Sequence, residues 1–85
     1  MSGEGDRAAD QLEQAILDLL AGRAGTICPS EAARRVAPDN WQPLMEATRA
    51  AGRRLAARGA IRILAGGKLV EVDHAGPIRF ARPAN

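Results

Sequence analysis

The sequence predicts an α+β domain of the winged helix-turn-helix kind, with three helices followed by a small antiparallel hairpin and sheet. Three observations point to it. Apolar residues recur at helical spacing up to about Gly59. The period then changes to short β-prone runs on either side of Gly66-Gly67. Only Ala37-Pro38-Asp39-Asn40 separates the second helical segment from the third, a connection short enough to hold two helices at a steep angle.

Residues 1–7, MSGEGDR, carry no apolar pattern and read as a disordered tail, which leaves residues 8–85 as one domain. A first helix is expected from Ala8 to about Ala21, with Leu12, Ile16, Leu19 and Leu20 as its buried stripe and Ala15 beside them. Gly22 or Gly25 is available to supply the left-handed residue that ends it. Thr26-Ile27-Cys28 is β-prone but long enough for only one bridging strand.

The second helix is expected at Pro29 to Val36. Pro29 suits the first helical position, where its missing N–H costs nothing. Glu31 sits near the positive end, Ala32, Ala33 and Val36 face inward, and Pro38 stops the helix.

The third helix, from Asp39 to Gly59, organises the rest. Trp41, Leu44, Met45, Thr48, Ala51 and Leu55 fall on one side of the wheel and predict a core-facing stripe that includes the Trp41 ring. Asp39 or Asn40 is placed to cap it, and Pro43 fits its first turn. Gly52, inside the helix, weakens it by about 1 kcal/mol relative to Ala and predicts close packing there.

Beyond Gly59, residues 60–64 and 68–72 form two β-prone runs around Ala65-Gly66-Gly67, a hairpin signal. Residues 73–77 make a second turn. Residues 78–82 predict a third strand with Ile78 and Phe80 on one side.

The totals narrow the function classes. Residues 1–22 hold five acids and one base, net −4, and residues 23–85 hold eleven bases and five acids, net +6. That asymmetry favours a polyanionic partner for the second part. The single Cys28 rules out an internal disulfide and fits a reducing compartment. No apolar run approaches the roughly 20 residues of a membrane span, and the acidic N-terminus lacks a signal region, so a cytoplasmic protein is expected.

Catalytic chemistry finds little footing. Cys28, Asp73 and His74 form a Cys-His-Asp set only on paper, and a packed thiol with a polar hairpin exit explains them equally well. One Cys and one His do not make a metal site, and no phosphate-loop pattern occurs. No enzyme, cofactor or metal is expected.

The chain resembles a family of small bacterial proteins described only as a domain of unknown function. The resemblance lies in Ile27-Cys28-Pro29-Ser30-Glu31, in Trp41-Gln42-Pro43-Leu44-Met45 and in Gly76-Pro77-Ile78-Arg79, supported by residues 15–20. It implies a winged-helix-like fold and brings no activity, substrate or catalytic residue.

On that fold the third helix is the recognition helix, and double-stranded DNA is the expected partner of a non-catalytic domain, in the role of a small transcriptional regulator. Asn40 and Gln42 suit adenine edges, and Arg49 and Arg53 suit guanine or phosphate. Arg62 and Lys68 on the hairpin, with Arg34 and Arg35 on the second helix, would meet the flanking backbone. The alternative is a protein–protein interaction module on the same fold, these cations serving solubility. A homodimer or another protein partner stays open on either reading.

Overall fold

The computed structural model describes residues 4–70 and 76–83, with side chains from Arg7 onward. Three α-helices precede a three-stranded antiparallel sheet: α1 (Glu4–Ala21), α2 (Pro29–Val36), a 3₁₀ turn (Gln42–Leu44), α3 (Met45–Ala57), β1 (Arg62–Ala65), β2 (Lys68–Leu69) and β3 (Arg79–Ala81). This is the winged-helix-like α+β arrangement expected from the sequence. Residues 1–3, 71–75 and 84–85, which include the end of the expected second run and Asp73-His74, lie outside the described residues.

The helix α1 begins at Glu4, one turn before the expected start at Ala8. The apolar pattern locates a buried stripe and carries no information about where a first turn without apolar residues begins. The stripe itself forms as expected: Leu12, Ala15, Ile16 and Leu20 are buried, with Leu19 half-buried beside them. Positive φ occurs at Gly59, Gly66 and Gly67 but not at Gly22 or Gly25, so neither of these ends α1 by a left-handed turn. The Gly22 N–H instead reaches the Asp18 carbonyl at 3.2 Å, a last helical bond.

The helix α2 occupies its expected span, with Pro29 in its first turn. Glu31 does more than sit in the field of the helix. One carboxylate oxygen accepts the Cys28 N–H at 2.9 Å, satisfying a donor that the helix leaves without an internal partner.

The third segment departs most from expectation. It enters through a 3₁₀ turn rather than α-helically from Asp39, and neither the turn nor α3 has a side-chain cap. The Asn40 N–H bonds the Ala37 carbonyl at 3.2 Å in the connecting turn. A 3₁₀ turn advances three residues per turn instead of 3.6, so residues before Met45 rotate out of line with the α3 stripe. Trp41 is the casualty. It is half-buried and absent from the core, and the sequence-based placement of its ring there is wrong. From Thr48 onward the stripe holds, with Thr48, Ala51, Gly52 and Leu55 buried. Buried Thr48 satisfies its hydroxyl by donating to the Leu44 carbonyl at 2.7 Å.

The sheet order is β2-β1-β3. Strands β1 and β2 pair through Leu64↔Leu69 and Ala65↔Lys68, leaving Gly66-Gly67 as a two-residue turn with φ of 60° and 82°. Positive φ at both positions is what a tight primed hairpin turn requires. Strand β3 pairs with β1 through Ile63↔Phe80 and is bridged on its other side by Ile27. Phe80 therefore has backbone partners on both sides, and its ring fills the centre of a core built from Leu12, Ile16, Ile27, Leu55 and Ile63. Gly52 of α3 lies directly over that ring.

Candidate nucleic-acid interface

The candidate surface comprises the outward side of α3, the turn before it and the hairpin. Asn40, Gln42 and Glu46 are exposed, whereas Arg49, Ala50 and Arg53 are half-buried. The buried stripe of α3 is Thr48, Ala51, Gly52 and Leu55, and its charged residues lie outside that stripe.

The arginines divide by what they touch. Arg54 donates to Glu13 at 2.6 Å, and Arg58 approaches the other oxygen of the same carboxylate at 3.4 Å. These two cations tie α3 to α1, and their partner Glu13 is only 15% exposed. Arg23 meets Glu31 at 2.5 Å. By contrast, Arg34, Arg35, Arg53 and Lys68 make no ion pair among the described residues.

Two expected contacts have structural employment. Arg49, expected to face a ligand freely, donates to the Gly76 carbonyl at 3.1 Å and joins the middle of α3 to the chain entering β3. Arg62, expected along a flanking backbone, donates to the Arg82 carbonyl at 2.8 Å and ties β1 to the strand beside it. Carbonyls satisfy donors without cancelling charge, so the local field stays positive while the geometry is fixed.

Lys68 is exposed at the start of β2, at the hairpin turn. Arg34 and Arg35 occupy the last turn of α2, where the negative end of the helix favours cations. Arg35 lines an open groove with Gln11, Gln14 and Asp18 of α1. Arg34 stacks over the Trp41 ring, 4.4 Å from its centroid.

A second cluster escaped the sequence reading. Arg79 donates to the Thr26 hydroxyl at 2.5 Å and to the Cys28 sulfur at 2.8 Å, joining β3 to the start of α2. Its signal was the alternation Ile78-Arg79-Phe80, which turns Arg79 away from the core face. Cys28 is half-buried, more open than the packed thiol expected. Burial pushes the Glu31 carboxyl up. The Cys28 N–H, the Arg23 hydrogen bond and the charges of Arg23 and Arg79 outweigh it, and the net result lies below the ordinary carboxylate value.

Among the described residues, no group of three or more His, Cys, Asp or Glu side chains is placed to hold a metal ion, and no helix is long and apolar enough to cross a membrane. Asp73 and His74, the other members of the Cys-His-Asp set, lie outside the described residues.

The chain belongs to the family described as "Protein of unknown function (DUF3253)", whose profile matches residues 9–83. No curated protein matches it.

Proposed function

We propose that this chain is a non-catalytic domain that binds double-stranded DNA, with α3 and its preceding turn entering the major groove and the hairpin lying along the flanking backbone. The observation that carries this reading is the segregation of charge. Cations on the α1 flank are matched by Glu13, while Arg34, Arg53 and Lys68, on the three elements that would meet a duplex, have no carboxylate partner among the described residues. Phosphate contacts supply most non-specific affinity, and unmatched cations are the groups free to make them. In this reading the chain is a small transcriptional regulator of the bacterial cytoplasm, a compartment that would keep the free Cys28 thiol reduced.

Asn40 and Gln42, exposed at the entry to the helix, are the candidates for reading base edges. Glu46, exposed in the first turn of α3, opposes phosphate and confines close backbone contact to the flanks.

The test is duplex binding by fluorescence anisotropy at two salt concentrations. Arg53→Ala and Lys68→Ala should each weaken binding to all sequences and reduce the salt slope by about one. Asn40→Ala or Gln42→Ala should cost about 1–3 kcal/mol on a preferred site only. Arg49→Ala is a poor probe, because it also breaks the tie to Gly76. If the wild type binds no tighter than about 10⁻⁴ M at low salt, weaker than ordinary non-specific association, the DNA reading fails and a protein-interaction module takes its place.

A further inference from the structure

We infer that Arg34 and Trp41 form a preassembled clamp for a phosphate oxygen, in which the indole positions the guanidinium and the guanidinium makes the contact. The natural source of that phosphate, a duplex backbone, rests on the DNA reading above. The clamp itself rests on geometry.

Arg34 is exposed in the last turn of α2, and its guanidinium carbon stands 4.4 Å above the centre of the Trp41 ring. Trp41 is half-buried at the start of the 3₁₀ turn that leads into α3. The pair therefore straddles the junction between the two helices of the helix-turn-helix. A guanidinium stacked on an aromatic ring uses its face and keeps its planar fork of N–H donors at the edge. Among the described residues those donors have no acceptor, and Arg34 makes no hydrogen bond or ion pair there. A long flexible side chain is thus held in place while its hydrogen-bonding capacity remains unspent. A phosphate, with its planar pairs of oxygens, matches that fork bidentately. The neighbouring acid, Asp39, is exposed and makes no ion pair among the described residues, so it does not occupy the fork.

The location explains the oddity of Trp41. It is one of only two Phe, Trp or Tyr residues in the chain, yet it stays out of the core that Phe80 fills. As a platform for Arg34 it needs one face against the domain and one face open.

Trp41 is the single tryptophan, so its emission reports the site directly. Wild-type protein is titrated at low salt with a short DNA duplex and, separately, with inorganic tripolyphosphate. The emission should change on saturation with either. Affinities are then measured for Arg34→Gln, Trp41→Leu, Trp41→Phe and the Arg34→Gln/Trp41→Leu double variant, each checked for native circular dichroism. Arg34→Gln and Trp41→Leu should each weaken binding roughly tenfold, the scale of one charge-assisted hydrogen bond. The double variant should be no weaker than either single one, as expected for residues acting as a unit. Trp41→Phe should recover most of the loss.

Full affinity in Trp41→Leu, additive losses in the double variant, or silent Trp41 emission at saturation overturns the clamp; duplex binding in that case leaves the DNA reading standing. Conversely, an Arg34-dependent response to tripolyphosphate without duplex binding keeps the clamp and ends the DNA reading. No response to either probe ends both.

Discussion

Gly52→Ala inverts an ordinary expectation. Alanine in a helix interior is favoured over glycine by about 1 kcal/mol, and an isolated helix would gain that much. Here a Cβ at residue 52 would overlap two carbons at the edge of the Phe80 ring. The ring has nowhere to retreat. Phe80 is fully buried, its strand is paired with Ile63 on one side and bridged to Ile27 on the other, and both neighbours are themselves buried. Overpacking a closed core costs about 1–3 kcal/mol, and two ring atoms in a fixed position put this site at the upper end. Set against the propensity gain of about 1 kcal/mol, the net destabilisation should be about 2 kcal/mol. For a domain of this size that is a fall of roughly 8–16 °C in Tm. Denaturant melts of wild type, Gly52→Ala, Phe80→Leu and the double variant give the measurement. The double variant should be less destabilised than the sum of the singles, because Leu vacates the space that the new methyl needs. A Gly52→Ala protein as stable as the wild type would refute the reasoning.

Three further outcomes follow from the ties between elements. Glu31 has a carboxyl pKa below its ordinary value of 4.5 in the folded state, so its contribution is present above that value and is lost as pH falls through the lower, folded one. Acid unfolding of wild type should therefore show a loss of stability below about pH 4.5 that Glu31→Gln lacks, and identical slopes for the two proteins would contradict the assignment. Cys28→Ser should change stability by less than about 1 kcal/mol, since a hydroxyl can accept the Arg79 donor in place of sulfur; a loss above about 2 kcal/mol in urea would show that the thiol packs more tightly than its exposure implies. Glu13→Gln removes the carboxylate shared by Arg54 and Arg58 and should cost about 1 kcal/mol at low salt, less at high salt. A salt-independent loss would locate the effect in packing instead.

Much of the fold was legible because local chemistry and burial agreed. In α2, Pro29 at the start, Glu31 in the first turn and Pro38 beyond the end delimit the helix from within its own sequence. At Gly66-Gly67 two adjacent glycines between β-prone runs specify a hairpin turn, and the positive φ values follow. Gly52 announced a close approach through its poor helix propensity, and only its partner, Phe80, was unnamed.

The candidate site was less legible, because its properties depend on pairings across long separations. A helical wheel sets Arg53 and Arg54 about 100° apart but does not show that Glu13, 41 residues before Arg54, matches one and leaves the other. Nor does it show that Arg49 reaches the carbonyl of Gly76. Trp41 was misplaced because a wheel drawn at 3.6 residues per turn was extended through a 3₁₀ turn, where the angle per residue is larger. The sequence by itself determined the helices, the hairpin and the sign of the charge, since these arise from neighbours within a few positions of one another. Which cations are matched, which are tied to carbonyls, and that the Trp41 ring carries Arg34 instead of filling the core were decided by tertiary structure alone. Those outcomes depend on how α1, α2, α3 and the sheet meet in space, and no local periodicity encodes that.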